Sequence, residues 1–286
     1  NERHFQIPSV TYPLAANFEG KIKLLGYDLP SRRVEPGDGL PITLYWQGLE
    51  WLGEDFVIFT RLLDNEQLAR GGYDRRAQEN YSTLFWAPGE VVTDGFAVPV
   101  AADAPDGVFS LSLGWYRQVD DQAQSLPILD PETGEPTGAT AVTIGPIKVG
   151  GPPPGVTRVK AEPQVALETI LGDQIKLLGF DLNSTLKTQN LTLVLYWQAL
   201  KTINTDYTVF VHVRNAASEV VAQKDSPPVG GAYPTSLWDT GEIIKDDISV
   251  PLAQLEAGAY DVMVGLYDFN TDQRLPIAGT PENAIV

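Results

Sequence analysis

The chain has 286 residues, no cysteine, and a formal charge of −17 from 37 acidic and 20 basic residues. Without a thiol there is no disulfide, cysteine zinc site or thiol nucleophile; an acidic exterior repels phosphate backbones, so nucleic acid is not expected as a partner. No apolar run reaches the roughly 18 residues that a spanning helix needs, so no direct membrane insertion is expected in this segment.

The length fits about two domains, and the sequence divides itself accordingly. Residues 1–18 read as an extended leading segment with Pro8 and Pro13, beginning at Asn1 rather than Met, as expected of a processed fragment. The first repeat is expected from about Phe18. Its opening phrase, Ile22-Lys23-Leu24-Leu25-Gly26-Tyr27-Asp28-Leu29, returns as Ile175-Lys176-Leu177-Leu178-Gly179-Phe180-Asp181-Leu182. After the turn signal at Pro36-Gly37-Asp38-Gly39, Leu40, Ile42, Leu44 and Trp46 alternate with polar or smaller residues, the period of a strand with one buried face. The same period recurs at Leu191, Leu193, Leu195 and Trp197, with Tyr45 and Tyr196 on the opposite face.

The next predicted strands are 56–62 and 207–213, each followed by a turn and a short strand ending at Arg70 or Gln223. A polar loop then carries the frame Tyr-x-Thr-x-x-Trp-x-x-Gly-Glu, at Tyr81 to Glu90 and at Tyr233 to Glu242. Strands follow at 90–100 and 242–252, with matched Val98-Pro99 and Val250-Pro251 steps, and then at Phe109 to Trp115 and Tyr260 to Leu266. The first copy continues into Ala141-Val142-Thr143-Ile144, a closing strand; the second stops at Val286, about where that strand should fall.

Short strands separated by turn signals, with no sustained helical period, predict an all-β chain: two tandem antiparallel β-sandwich domains, immunoglobulin-like or carbohydrate-module-like, related by internal duplication. The expected divisions are 1–149 for the first repeat with its leading segment, 150–157 for a Gly/Pro linker containing Pro152-Pro153-Pro154, and 158–286 for the second repeat.

Chemistry is sparse. His4 and His212 are the only histidines, and no spacing of His, Asp and Glu supplies a metal site, so no metal or cofactor is expected. Glu90 and Glu242 read as acids flanking a turn, and Asp120-Asp121 and Asp246-Asp247 as solvated turn or edge charge. No catalytic residue emerges, and the chain is not expected to be an enzyme. Trp46 and Trp197 belong to the core. Trp86 and Trp238 either cap a sandwich edge or form a sugar-stacking platform. If the relevant strands share one sheet, Tyr196, Gln198, Phe210, His212 and Tyr267 form an aromatic and polar face; with Trp238 they are the candidate ligand-binding residues, with a glycan as ligand.

The L-L-G-[YF]-D-L and L-Y-W-Q-[GA]-L phrases, the 207–212 strand, the 233–242 frame and Val264-Gly265-Leu266-Tyr267-Asp268 together resemble the β-sandwich modules at the C-terminal ends of large membrane-bound, glycosyltransferase-like proteins of Chloroflexus-like bacteria. The resemblance covers nearly the whole chain and is closer in the second copy; the first has Arg61 in place of His212 and Trp115 in place of Leu266. It implies an extracellular or cell-surface location and an accessory, non-catalytic role, since transferase chemistry would lie upstream. The function expected on these grounds is a structural or interaction module of a cell-surface or filament assembly, with other envelope proteins or self-association as partners. The alternative is a carbohydrate-binding accessory domain of a membrane-bound glycan-processing protein.

Overall fold

The computed structural model describes residues 3–185, 190–252, 255, 258–280 and 283–285. The chain forms two compact units, residues 1–151 and 152–286. Among the described residues both are all-β, with short 3₁₀ segments as the only helical structure.

In the first unit the strands are β1 (Tyr12–Phe18), β2 (Ile22–Asp28), β3 (Arg33–Val34), β4 (Gly39–Gly48), β5 (Val57–Leu63), β6 (Asp74–Arg75), β7 (Val91–Pro99), β8 (Gly107–Val119), β9 (Gln122–Ser125), β10 (Ile128–Leu129) and β11 (Val142–Val149). One sheet has the order β10-β1-β2-β4-β7, the other β3-β11-β8-β5-β6, with β9 alongside the far end of β8. The alternation read from β4 is the alternation observed: Leu40, Ile42, Leu44 and Trp46 are all buried. Trp46 meets Trp115 of the facing sheet edge-on at 5.0 Å, and Trp86 meets the same ring at 5.7 Å, so the two layers are joined by packed indoles.

The second unit repeats this plan with β12 (Val165–Leu171), β13 (Ile175–Thr185), β14 (Asn190–Ala199), β15 (Tyr207–Arg214), β16 (Val220–Ser226), β17 (Ile243–Pro251), β18 (Asp261–Asp268) and β19 (Gln273–Arg274). Its sheets run β12-β13-β14-β17 and β16-β15-β18-β19. Strands β12, β13, β14, β15, β17 and β18 are the counterparts of β1, β2, β4, β5, β7 and β8.

The repeated glycine phrase has a structural cause. The register of β2 on β4 slips between Leu24 and Gly26, and that of β13 on β14 between Leu177 and Gly179. These are β-bulges, and both glycines have positive φ, 155° and 151°. A β-carbon at Gly26 would stand 2.6 Å from the Tyr12 carbonyl oxygen, and one at Gly179 2.1 Å from that of Val165. Two residues on, Asp28 and Asp181 tie the phrases together. Tyr45 donates its hydroxyl hydrogen to Asp28 Oδ2 at 2.6 Å and Tyr196 to Asp181 Oδ2 at 2.8 Å. The other carboxylate oxygen of each accepts a backbone N–H, from Thr11 and Gln164, both at 2.7 Å. Thus the Asp of the first phrase is held by the Tyr of the second, once per unit.

Several expectations need correction. The first repeat begins at Tyr12 rather than Phe18: residues 12–18 are a strand paired with β2, and Pro13 is tolerated because the pairing slips there. Thr157, expected in the linker, exchanges backbone hydrogen bonds with Ile243 of β17. The short strand expected to end at Arg70 is reduced to a single bridge, Leu63 with Ala69. The chain instead turns at Gly71 and Gly72, packed so closely on Pro99 and Thr60 that a β-carbon would meet their carbonyl oxygens at 2.2 and 2.0 Å. Asp246 is not solvated edge charge; it is 1 % exposed.

Candidate functional site

The Tyr-x-Thr-x-x-Trp-x-x-Gly-Glu frame builds the same internal clamp twice. Tyr81 donates to Glu90 Oε1 at 2.9 Å and Tyr233 to Glu242 Oε2 at 2.6 Å. Each carboxylate also accepts a backbone N–H from the turn it closes, Ala87 or Asp239, both at 2.8 Å. Thr83 and Thr235 each accept the backbone N–H that opens the facing segment, from Phe56 at 2.8 Å and Tyr207 at 2.9 Å. They donate in turn to the carbonyls of Glu54 and Thr205, at 2.9 and 2.6 Å. Trp86 and Trp238 are fully buried and cover the ends of the cores. Glu90 and Glu242 are therefore buried hydrogen-bond acceptors that close a turn. The stacking-platform reading of Trp238 is overturned, because its ring has no exposed face and its indole N–H donates to the Tyr233 carbonyl at 2.9 Å.

The remaining candidate ligand-binding residues separate into two places. Tyr196 and Gln198 lie on β14, whereas Phe210, His212 and Tyr267 lie on β15 and β18 of the other sheet. The premise of one shared face fails because the chain crosses from one layer to the other between β14 and β15. Tyr196 is engaged by Asp181. Phe210, His212 and Tyr267 do come together: the Phe210 ring lies 5.0 Å from the His212 ring and 6.3 Å from that of Tyr267. This face is covered, however. Phe210 is 1 % exposed, packed with Met263 and Ala284, with the Arg274 guanidinium over its ring at 4.3 Å. Tyr267 donates to Asp225 at 3.1 Å, and His212 stands 3.8 Å from the same carboxylate. Burial lowers the His212 pKa, partly offset by Asp225, which favours a neutral imidazole.

The open aromatic surface lies on the first unit instead, in residues the sequence reading passed over. Trp51 is 63 % exposed, Phe85 61 % and Phe5 55 %. Arg3 links Trp51 and Phe85: its guanidinium lies 5.7 Å from the Trp51 ring centre and donates to the Phe85 carbonyl at 3.0 Å. The leading segment is held there by the Val91 N–H, which donates to the His4 carbonyl at 2.7 Å. A signal for these residues was present. Trp51 stands where the second copy has Thr202, and Phe85 where it has Leu237, which is buried. An aromatic side chain that only one copy carries is not needed by the shared core.

Among the described residues, no group of three or more His, Cys, Asp or Glu side chains is placed to hold a metal ion, and no helix is long and apolar enough to cross a membrane. Fold and surfaces together define a tandem of β-sandwich modules. No protein-family model matches the chain, and no curated protein matches it significantly.

Proposed function

We propose that the chain is a non-catalytic, extracytoplasmic structural and interaction module, part of a cell-surface or filament assembly, that contacts other envelope proteins or further copies of itself. The observation that carries this reading is the exposed pair Trp51 and Phe85 around Arg3. Large aromatic side chains beside an arginine are the residue types that dominate protein–protein contacts, and a soluble surface rarely leaves them together in water without a use. The internal engagement of Glu90 and Glu242 supports the non-catalytic part. The resemblance of the repeated phrases to modules of membrane-bound bacterial proteins supports the extracytoplasmic part.

The test is sedimentation at rising concentration, alone and with isolated cell-envelope fragments. The reading predicts association that the double substitution Trp51→Ser with Phe85→Ser abolishes while the melting temperature is kept. Association that survives the substitution, or none in the parent chain, would remove it. The carbohydrate-binding alternative draws on the same Trp51 ring, flanked by a charged donor as sugar-stacking rings are. It predicts a glycan-array signal that Trp51→Ala erases, with no protein partner required.

A further inference from the structure

Residues 3–5, Arg-His-Phe, are seated on the first unit by contacts of three kinds. The Arg3 guanidinium donates to the Phe85 carbonyl at 3.0 Å, stands 3.4 Å from Glu90 Oε2 and lies 5.7 Å from the centre of the Trp51 ring. The His4 carbonyl accepts the Val91 N–H at 2.7 Å. Phe5 lies against the Gly89 turn, where a β-carbon would meet its ring at 3.8 Å. The side chains of residues 3 and 5 engage the sandwich and the backbone between them pairs with it, the pattern of an extended segment.

The seat is built by the sandwich. Glu90 is 3 % exposed and is fixed by the Tyr81 hydroxyl and the Ala87 N–H, at 2.9 and 2.8 Å. Its Oε2 also faces the Arg3 guanidinium, so a buried negative charge has a cation beside it. The Phe85 carbonyl is a second acceptor, and Arg3 is its nearer donor. Tyr81 stands 3.4 Å from that oxygen, whereas in the second unit Tyr233 reaches the counterpart carbonyl, of Leu237, at 2.8 Å. The third wall, Trp51, stands where the second unit has Thr202. Carboxylate, carbonyl and indole together match a planar guanidinium, which carries charge, a fork of donors and a face that stacks. The hold on the segment is light. Residues 3–7 are all exposed, and ion pairs at exposed side chains contribute little.

We infer that this seat is a recognition site for an arginine-bearing segment of a partner polypeptide, of the form Arg-x-aromatic, which competes with residues 3–5 for it. The chemistry of the occupant is read from the segment seated there. Its arginine enters between Glu90, the Phe85 carbonyl and the Trp51 ring, its next carbonyl accepts the Val91 N–H, and its aromatic ring covers Gly89. Charge agrees with this choice, since a chain of formal charge −17 favours a cationic partner. The inference rests on the reading of Trp51 and Phe85 as an interaction surface and names what that surface takes.

The test uses the full chain carrying Arg3→Ser and Phe5→Ser, two exposed positions whose loss empties the seat, and a dye-labelled peptide with the sequence of residues 3–8, RHFQIP. Fluorescence anisotropy should show saturable binding to the emptied chain, at least about tenfold tighter than to the parent chain, whose seat is filled. Citrulline in place of the peptide arginine keeps the shape without the charge and should weaken binding at least about tenfold. Trp51→Ser in the emptied chain should weaken it at least about threefold with the unfolding transition retained. No saturable binding, equal binding by the parent chain, equal binding of the citrulline peptide, or binding indifferent to Trp51→Ser would each overturn the inference. Peptide binding without association in sedimentation would leave the seat and remove the assembly reading; association without peptide binding would do the reverse.

Discussion

At the scale of single residues, the acidic pair at positions 94 and 246 shows how far duplicated positions can drift while the fold holds. Asp94 is fully buried and receives Arg75 through two hydrogen bonds, at 2.5 and 2.9 Å. Asp246, at the same place in the second unit, has no arginine. It accepts the Val229 N–H at 2.8 Å and the Trp197 indole N–H at 3.4 Å. Burial pushes its pKa up to about 6, against the pull of those two donors and with a further push from Asp247. The sign follows from linkage. A carboxyl whose folded pKa lies above its unfolded value binds its proton more tightly in the folded state. Its contribution is complete below about pH 4 and is lost as pH rises through about 6. The second unit should therefore lose on the order of 3 kcal/mol across that window. Asp246→Asn should remove this part of the slope, read as the difference between parent and variant in urea unfolding from pH 4 to 7. Parallel curves would contradict it.

At the scale of the elements, the clamp and the bulge are the devices that make these strands a sandwich. Tyr233 is buried and its hydroxyl serves both Glu242 and the Leu237 carbonyl, at 2.6 and 2.8 Å, whereas Tyr81 is half-exposed. Tyr233→Phe takes the hydroxyl donor from a buried carboxylate, leaving it the Asp239 N–H, and should cost about 2–3 kcal/mol. Tyr81→Phe should cost about 1 kcal/mol, because water can replace the lost partner. Equal losses in denaturant unfolding would show that the clamp is not what distinguishes them. The same elements show what was legible. The Leu/Trp alternation of β4 and β14 stated which side faces inward, because a period of two needs only one buried layer to be read. The pairing of Tyr45 with Asp28 and of Tyr81 with Glu90 was visible only as repetition; position in sequence does not reveal that a hydroxyl and a carboxylate will meet. The candidate face failed for a related reason. Nothing local to β14 or β15 says that the chain changes layer between them, and nothing local to Phe210 says that Arg274 and Ala284 will cover it. The exposed aromatics were legible in principle, through the mismatch of Trp51 with Thr202.

At the scale of the whole molecule, one sandwich plan is built twice from two repeated phrases and one clamp. The copies differ outside that plan: the first carries exposed Trp51 and Phe85, where the second has Thr202 and the buried Leu237. Native-state hydrogen exchange on the undivided chain tests the shared plan most directly, by comparing the Leu44 amide of the central strand β4 with that of its counterpart Leu195 on β14. The structure predicts that both amides, held inside a sheet, exchange at least about a hundredfold slower than in the unfolded chain. A Leu195 amide that exchanges as in the unfolded chain while Leu44 is protected would mean that the second unit does not share the plan of the first, and would contradict the account.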